Sequence, residues 1–225
     1  MRNVNVYGHA EGHGTHSYIR IRYHDVRIPA DHLLGGRGEG FIVAQTRLRG
    51  GRIHHAMRTV GLVKQALDMM CERVLSRTTQ GDVLAKKQLV QEMIADSWLQ
   101  LEQFRLLVLR TAWRIDRYED YERVRADISG VKAAMPKVLL DIAGRALQTH
   151  GSLGVSDEMP FGSMVLESFH MGLADGATEV HKVTLAREVL KAYQPTSELF
   201  PTGHLLRRRE EAQKRFADVL ASAGR

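Results

Sequence analysis

Long stretches in which apolar residues recur every three or four positions constrain this chain more than any other feature. From about Gly40 to near the C-terminus, these stretches follow one another with only short polar breaks. The spacing places the apolar side chains on one face of an α-helix. We therefore predict helices over about 40–77, 83–117, 123–150, 162–172, 180–191 and 205–223. Long amphipathic helices joined by short breaks favour an antiparallel bundle.

Three of these helices carry the apolar positions that we predict to form the core. They are Val60, Val63, Ala66, Leu67, Met70 and Val74, then Leu89, Met93, Ile94, Leu101, Leu106 and Leu109, then Ile128, Val131, Met135, Val138, Leu139, Ile142 and Leu147. Pro136 lies inside the third helix, where its ring removes a backbone hydrogen bond, so we predict a kink there.

The first 34 residues show the alternation of β-strands instead. Apolar and polar residues alternate around Val4 and Val6 and again over 18–28, with a Gly/His loop at 8–16 between them. Two or three short strands do not form a stable sheet alone, so they either cover a helical body or end a larger β domain. The glycine-rich segment Pro29–Phe41 does not have the dinucleotide fingerprint, and we interpret it as a hinge.

Composition limits the classes of function. The 225 residues are 44% hydrophobic, enough for one sizeable core, and contain neither an apolar run of eighteen residues nor a signal-peptide pattern. Cys71 is the only cysteine, which excludes an intrachain disulfide and favours a reducing, cytoplasmic setting. The net charge of +6 permits anionic partners, but basic and acidic residues are interleaved and no nucleic-acid-binding motif is present. We expect no nucleic-acid partner and no membrane span.

Histidines are the remaining candidates for metal ligands. His9, His13 and His16 lie on the glycine loop without acidic or cysteine partners, so we interpret them as polar loop residues. His54 and His55 are adjacent on a helix and face different directions, which makes them a poor pair. We predict no metal site.

The stretch Leu173–His181, L-A-D-G-A-T-E-V-H, has the strongest chemical pattern. Asp175 stands directly before a glycine, and Thr178 and Glu179 open the next helix, as capping residues do. A helix N-terminus offers free N–H groups and a positive dipole end, which suit a phosphate or another anion. The stretch therefore combines a possible base with a possible anion site, although a simple capped helix start would have the same residues.

Several motifs in order resemble the acyl-CoA dehydrogenase family, most closely its branch of family members ten and eleven. They are Y-H-D-V-R-I-P-A-D-H-L-L-G (Tyr23–Gly35), G-E-G-F (Gly38–Phe41), G-R-I-H-H-A-M-R-T-V-G (Gly51–Gly61), Q-T-H-G-S-L-G-V (Gln148–Val155) and L-A-D-G-A-T-E-V-H. The resemblance implies a mainly α fold: a C-terminal four-helix bundle preceded by a few β-strands left from a middle β domain. It divides the chain into the end of the β domain (1–36), the bundle domain (37–194) and a helical tail (195–225). About half of the usual subunit would be absent.

The resemblance also implies a reaction. In the family, a carboxylate removes the α-proton of an acyl-CoA thioester while a hydride leaves the β-carbon for FAD. Asp175 matches that base, and burial would have to raise its working pKa. Gly176, Arg49 and Arg52 match substrate-side positions, with Arg52 the better match of the two arginines. Gly51 stands where some relatives carry an alternative glutamate base.

The FAD positions implied by the resemblance are distributed over four segments. They are Arg77, Gln88, the loop residues Gln148, Thr149, His150, Gly151 and Ser152, and the helix start Ala177, Thr178 and Glu179. Three of them depart from the family pattern: Ser152 replaces a glycine, Ala177 a threonine, and Glu179 a frequent glutamine whose replacement puts a carboxylate beside a pyrophosphate.

The leading hypothesis from the sequence is a subunit, or the C-terminal part of one, of an FAD-dependent acyl-CoA dehydrogenase of fatty acid β-oxidation. Its partners would be an acyl-CoA substrate, an electron-acceptor flavoprotein and either further copies of itself, as a dimer or tetramer, or a companion chain. The alternative is a non-catalytic assembly or FAD-sharing module that needs a companion chain.

Overall fold

Helices make up most of the chain that the computed structural model describes, which is residues 4–7, 20–196, 199–201 and 203–223. The α-helices in these ranges are α1 (Gly40–Ser76), α2 (Gln88–Tyr118), α3 (Tyr121–His150), α4 (Phe161–Leu173), α5 (Thr178–Leu190), α6 (Leu205–Arg215) and α7 (Ala217–Ala223). The strands in these ranges are β1 (Val4–Tyr7), β2 (Arg20–Tyr23), β3 (Thr78–Thr79) and β4 (Asp82–Val83). The predicted fold class, mainly α with a few strands, is confirmed.

Helices α1 to α4 pack around one core in an antiparallel arrangement. Successive contacts between α2 and α3 run in opposite directions along the two helices: Arg145 reaches Gln100, and Asp127 pairs with Arg110 and Arg114. The start of α4 packs on the end of α3 through the rings of His150 and Phe161, which lie 4.6 Å apart. The side chains that form this core come from all four helices, and the fully buried ones include Val63, Met70, Val108, Val131, Met135, Leu139, Ile142, Phe161 and Met171.

One face of α2 was assigned wrongly. Its buried residues are Ser97, Leu101, Phe104, Val108 and Thr111, whereas the predicted core positions Leu89, Leu106 and Leu109 are exposed. The error arises because α2 has apolar residues on two faces, and spacing alone does not say which face packs inward. On the exposed side, Trp98, Leu106, Leu109 and Trp113 with Leu99 form a patch that we name the outer face of α2.

Several element ends differ from prediction. Leu84–Lys86 forms a separate 3-10 turn before α2, and α3 begins two residues early because Asp120 caps it by accepting the N–H of Glu122 at 2.9 Å. Pro136 lies inside α3, which is helical on both sides of it. The predicted last helix is two helices, because Phe216 leaves the helical conformation (φ −110°, ψ 20°) between α6 and α7.

The chain forms two compact units, Met1–Arg187 and Glu188–Arg225. In the first unit, β1 pairs antiparallel with β2 in the register Val4 to Tyr23.

The loop histidines His9, His13 and His16 lie outside the described residues, as does the side chain of Arg49. No helix in the described part of the chain is both long and apolar enough to cross a membrane. The division at 36 and 194 stays a prediction.

Candidate functional site

The loop that joins α4 to α5 turns through two residues with positive φ. Asp175 has φ 56° and Gly176 has φ 108°. Aspartate is one of the few non-glycine residues that adopts the left-handed region readily, whereas the second angle favours glycine. A Cβ on Gly176 would also lie 3.0 Å from Nε2 of His181. The backbone of this loop therefore favours glycine at 176 and is compatible with aspartate at 175.

Arg52 of α1 holds the backbone of this loop. Its Nε donates to the carbonyl oxygen of Asp175 at 3.1 Å, Nη1 donates to the hydroxyl of Tyr121 at 2.7 Å, and Nη2 donates to Oε1 of Gln45 at 3.1 Å. Nε2 of His181 lies 3.4 Å from the same carbonyl oxygen. Arg52 is buried, and each of its three guanidinium nitrogens has a protein acceptor. It joins α1, the start of α3 and the loop.

The carboxylate of Asp175 lies against one face of α1. Its Oδ2 is 3.3 Å from Nε2 of His55, and the two side chains are only 11% and 20% exposed. The space beside Oδ2 is open because residue 51 is glycine: a Cβ there would lie 2.5 Å from that oxygen. The structure therefore puts the carboxylate of Asp175 next to the position where some relatives of the resembled family carry a glutamate.

Lys132 of α3 is a fully buried lysine beside this loop. Its Nζ donates to the carbonyl oxygen of Met171, near the end of α4. Burial lowers the pKa of the Lys132 ammonium to about 8; the charge of Asp175 opposes this shift and that of Arg52 adds to it. A buried cation is costly unless it is paired, so the carboxylate and the ammonium each make the burial of the other less unfavourable.

Lys132 makes the stability of the fold depend on alkaline pH. Its folded pKa, about 8, is below its ordinary value of 10.5, so the unfolded chain binds more protons between these values and the stability contributed by this group rises with pH. Between pH 8 and 10.5, we expect the free energy of unfolding of wild type to rise by up to about 3 kcal/mol more than that of the Lys132→Met variant, at 1.36 kcal/mol per pKa unit. Urea denaturation at each pH measures this, and exposed Lys182→Met is the control. An equal slope for both variants would contradict the prediction.

A cavity of about 420 Å³ opens in front of Asp175. Its walls come from α1, the start of α3, the loop and α5, and they combine apolar, hydroxyl and cationic side chains. The lining residues are Phe41, Gln45, Leu48, Arg52, Tyr121, Glu122, Arg125, Ser129, Asp175, Gly176, Val180, His181 and Thr184. Such a cavity suits a small ligand with an apolar part and a polar or anionic part.

The structure brings together three residues that the sequence indicated, Asp175, Gly176 and Arg52, all of which line this cavity. The nearby Thr178 does not act as the predicted cap, because its Oγ1 donates to the carbonyl oxygen of Gly172 at 3.2 Å. Glu179 is exposed at the first turn of α5. Among the described residues, no N–H of α5 donates to the carboxylate of Asp175, so the capping alternative for this residue has no support.

The other predicted cofactor residues lie at the opposite end of the bundle. Exposed side chains there belong to Arg77, Gln88, Gln148 and Ser152, and Gly151 of the same loop as Gln148 and Ser152 has a positive φ. Thr149 and His150 are buried and turn inward, since the Oγ1 of Thr149 donates to the carbonyl oxygen of Ala146 at 2.9 Å and Nδ1 of His150 lies 2.7 Å from it. Lys132 and His150 lie 18 positions apart on α3, a rise of about 27 Å, which separates the two sets.

Sequence reasoning missed five residues of this site. Gln45, His55, Tyr121 and His181 contact Asp175 or Arg52, which holds it. Lys132 is a buried charge that interacts electrostatically with Asp175. One signal was available: Gly51 and His55 are four positions apart and so share one face of α1. His181 also lies within the stretch Leu173–His181, and Gln45 lies two turns before Arg52 on α1. The contacts of Tyr121 and Lys132 join positions far apart in the chain and have no local pattern.

Comparisons with known proteins agree on one group. A family model described as acyl-CoA dehydrogenase, C-terminal domain, matches residues 38–190. The chain is 40% identical over 196 residues to FadE2 of Mycobacterium tuberculosis, assigned as an acyl-CoA dehydrogenase, covering 87% of this chain and 47% of that protein. It is 38% identical over 192 residues to acyl-CoA dehydrogenase family member 11 of Rattus norvegicus, covering 85% of this chain and 24% of that protein.

A solved structure gives the same result. The structure of a Mycobacterium abscessus protein assigned to the acyl-CoA dehydrogenases superposes with a TM-score of 0.79 at 34% identity. The superposition covers 85% of this chain and 48% of that one. This chain therefore spans half or less of the length of these relatives.

Proposed function

Because the chain belongs to the acyl-CoA dehydrogenase family, we propose that it forms the C-terminal part of an enzyme that dehydrogenates an acyl-CoA thioester between its α- and β-carbons. FAD is the cofactor of this family, and when bound it accepts the hydride from the β-carbon. This chain would supply Asp175 as the base that takes the α-proton. The observation that carries the proposal is the Asp175 carboxylate, which lies at a cavity lined by apolar, hydroxyl and charged side chains, the charged ones being Arg52, Arg125 and Glu122 beside Asp175 itself.

The residues that hold Asp175 support this role. A base must stay within reach of the proton that it removes, and here Arg52 and His181 bond to the carbonyl oxygen of Asp175 while His55 contacts its carboxylate. Because Oδ2 is buried without a hydrogen bond, the exposed part of the side chain includes the other oxygen, Oδ1. Oδ1 would receive the proton.

The predicted cofactor residues fit FAD in two separate sets. At one end of the bundle, Arg77 offers a guanidinium that can pair with phosphate oxygens, and Gln88, Gln148 and Ser152 offer exposed polar groups. At the other end, the first turn of α5 offers backbone N–H groups, because the first turn of a helix has no intrahelical acceptor for them. The Thr178 hydroxyl already donates to the carbonyl oxygen of Gly172. With about 27 Å between the sets, an FAD site built from both requires two chains, which favours a dimer or tetramer.

The alternative is a module that holds FAD or assembles with a companion chain and has no activity of its own. What favours it is the separation of about 27 Å between the two sets of predicted cofactor residues, because an FAD site built from both sets would be shared with another chain. The acyl-CoA specificity, the electron-acceptor flavoprotein, the role in β-oxidation and the cytoplasmic location stay predictions.

Flavin uptake separates the two functions from an unrelated helical protein. We expect the purified chain, mixed with FAD and gel-filtered, to elute as an oligomer with bands near about 370 and 450 nm, where oxidised flavin absorbs. Arg77→Gln should reduce the bound FAD, because one phosphate partner is lost, whereas Arg73→Gln, in the last turn of α1 just before Arg77, is the control. Anaerobic acyl-CoA should then bleach the 450 nm band. FAD retention without bleaching would support the FAD-sharing module, and no retention would contradict activity of this chain alone and leave an assembly module that needs a companion chain.

A further inference from the structure

We propose that His55 is a positioning residue, which acts as a neutral hydrogen-bond donor that holds Oδ2 of Asp175 and leaves Oδ1 to take the proton. The proposal rests on the function proposed for Asp175, and it adds a residue for which the motifs of the chain indicated no role. His55 does not line the cavity in front of Asp175. It contacts the carboxylate from α1, so a ligand in the cavity would meet Asp175 and not His55.

The geometry selects this pair. Nε2 of His55 lies 3.3 Å from Oδ2, which has no hydrogen bond in the described part of the chain. The two atoms are within hydrogen-bond distance but poorly aligned; hydrogen bonds in catalytic sites are often poorly aligned without ligand and tighten when the substrate is bound. Gly51, one helical turn before His55, provides the space in which the carboxylate lies. Gly51 and His55 thus act together on one face of α1: Gly51 leaves space for the Asp175 carboxylate, and His55 contacts that carboxylate.

Whether His55 is charged decides how its contact affects the basicity of the Asp175 carboxylate. Burial lowers the pKa of His55, with Arg58, His54 and Lys132 adding to the effect and Asp175 opposing it. The imidazole is therefore neutral at pH 7. A neutral ring that faces an ionised carboxylate carries its hydrogen on Nε2, since a carboxylate only accepts. A protonated imidazole would stabilise the carboxylate and weaken it as a base, whereas a neutral donor orients the carboxylate at a smaller cost in basicity.

A spectroscopic test does not depend on activity. We expect nitrogen NMR of the full chain to show His55 as the Nε2–H tautomer at pH 7, with a pKa below 6.5. Asp175→Asn should lower that pKa further, because the carboxylate charge raises it. Asp157→Asn is the matched control, since it makes the same change at an exposed aspartate that is not among the groups that shift the pKa of His55. An Nδ1–H tautomer, or a pKa that Asp175→Asn leaves unchanged, would overturn the proposal.

Kinetics give a second readout. His55→Leu should lower kcat for flavin reduction about 10- to 100-fold, the range expected when a reacting group is misplaced by up to 1 Å, with KM nearly unchanged because His55 lies outside the cavity. His55→Gln keeps an amide donor near the position of Nε2 and should recover most of the rate, whereas His55→Asn should not. Equal loss in all three variants would contradict positioning. If wild type is inactive, the proposed function fails and the NMR result alone decides whether His55 holds the carboxylate.

Discussion

Replacing Asp175 with asparagine is expected to reduce acyl-CoA-driven bleaching of bound flavin by about 10²–10⁴-fold, the usual contribution of a general base. Asparagine keeps the size of the side chain and tolerates the left-handed backbone at φ 56°, so the loop should keep its conformation. It has no oxygen basic enough to take a proton from carbon. Stopped-flow absorbance at 450 nm measures the rate, with FAD content and thermal unfolding as checks on the fold.

The matched control is Asp157→Asn, an exposed aspartate in the segment between α3 and α4. It makes the same chemical change without touching the cavity, and its rate should equal that of wild type. Wild-type bleaching in Asp175→Asn would refute the assignment of the base and leave the family assignment intact.

The second large effect is expected from two adjacent glycines of α1. Alanine at either position should stabilise the helix by about 0.5–1 kcal/mol, because glycine has more backbone freedom to lose on folding. A Cβ at Gly50 meets nothing within 4 Å, whereas a Cβ at Gly51 would lie 2.5 Å from Oδ2 of Asp175. A carboxylate at the end of a short side chain can rotate away at little cost to the fold. We therefore expect Gly51→Ala to stay folded and to lose about 100-fold in rate, while Gly50→Ala keeps full activity.

Denaturation curves and stopped-flow rates on the two variants test this prediction together. Equal rates in Gly50→Ala and Gly51→Ala would show that the position of the Asp175 carboxylate is unimportant for the reaction. A Gly51→Ala protein that fails to fold would show instead that the clash extends into the backbone.

The helices could be predicted from spacing because the helical period of the apolar residues is visible within each stretch of sequence. The spacing does not show which face of a helix packs against another helix. Leu106 and Leu109 have helical spacing as good as that of Leu101, yet only Leu101 is buried. At the end of α3, Thr149 and His150 fall inside a motif that indicated cofactor contacts, and their side chains bond to the carbonyl oxygen of Ala146. Their contact with a cofactor stays a prediction.

The candidate site divides in the same way. Asp175 and Gly176 could be located because the loop that carries them has a local pattern. His55 and Lys132 could not, because Asp175 lies 120 and 43 positions away from them, and only the packing of α1, α3 and the loop brings them together. His55 also shows how a rule about neighbours can mislead. Two adjacent histidines are a poor metal pair because they face different directions, and for the same reason one of them is free to contact Asp175.

The outer face of α2 has a consequence for how this protein can be observed. The chain contains two tryptophans, Trp98 and Trp113, which are 55% and 60% exposed and, at 100° per residue, lie about 60° apart around the helix. Both indoles already contact solvent in the folded state, so their emission reports little on whether the core is formed. It reports instead on whether something covers this face of α2, and any surface that excludes water from it shifts the fluorescence to shorter wavelength without a label.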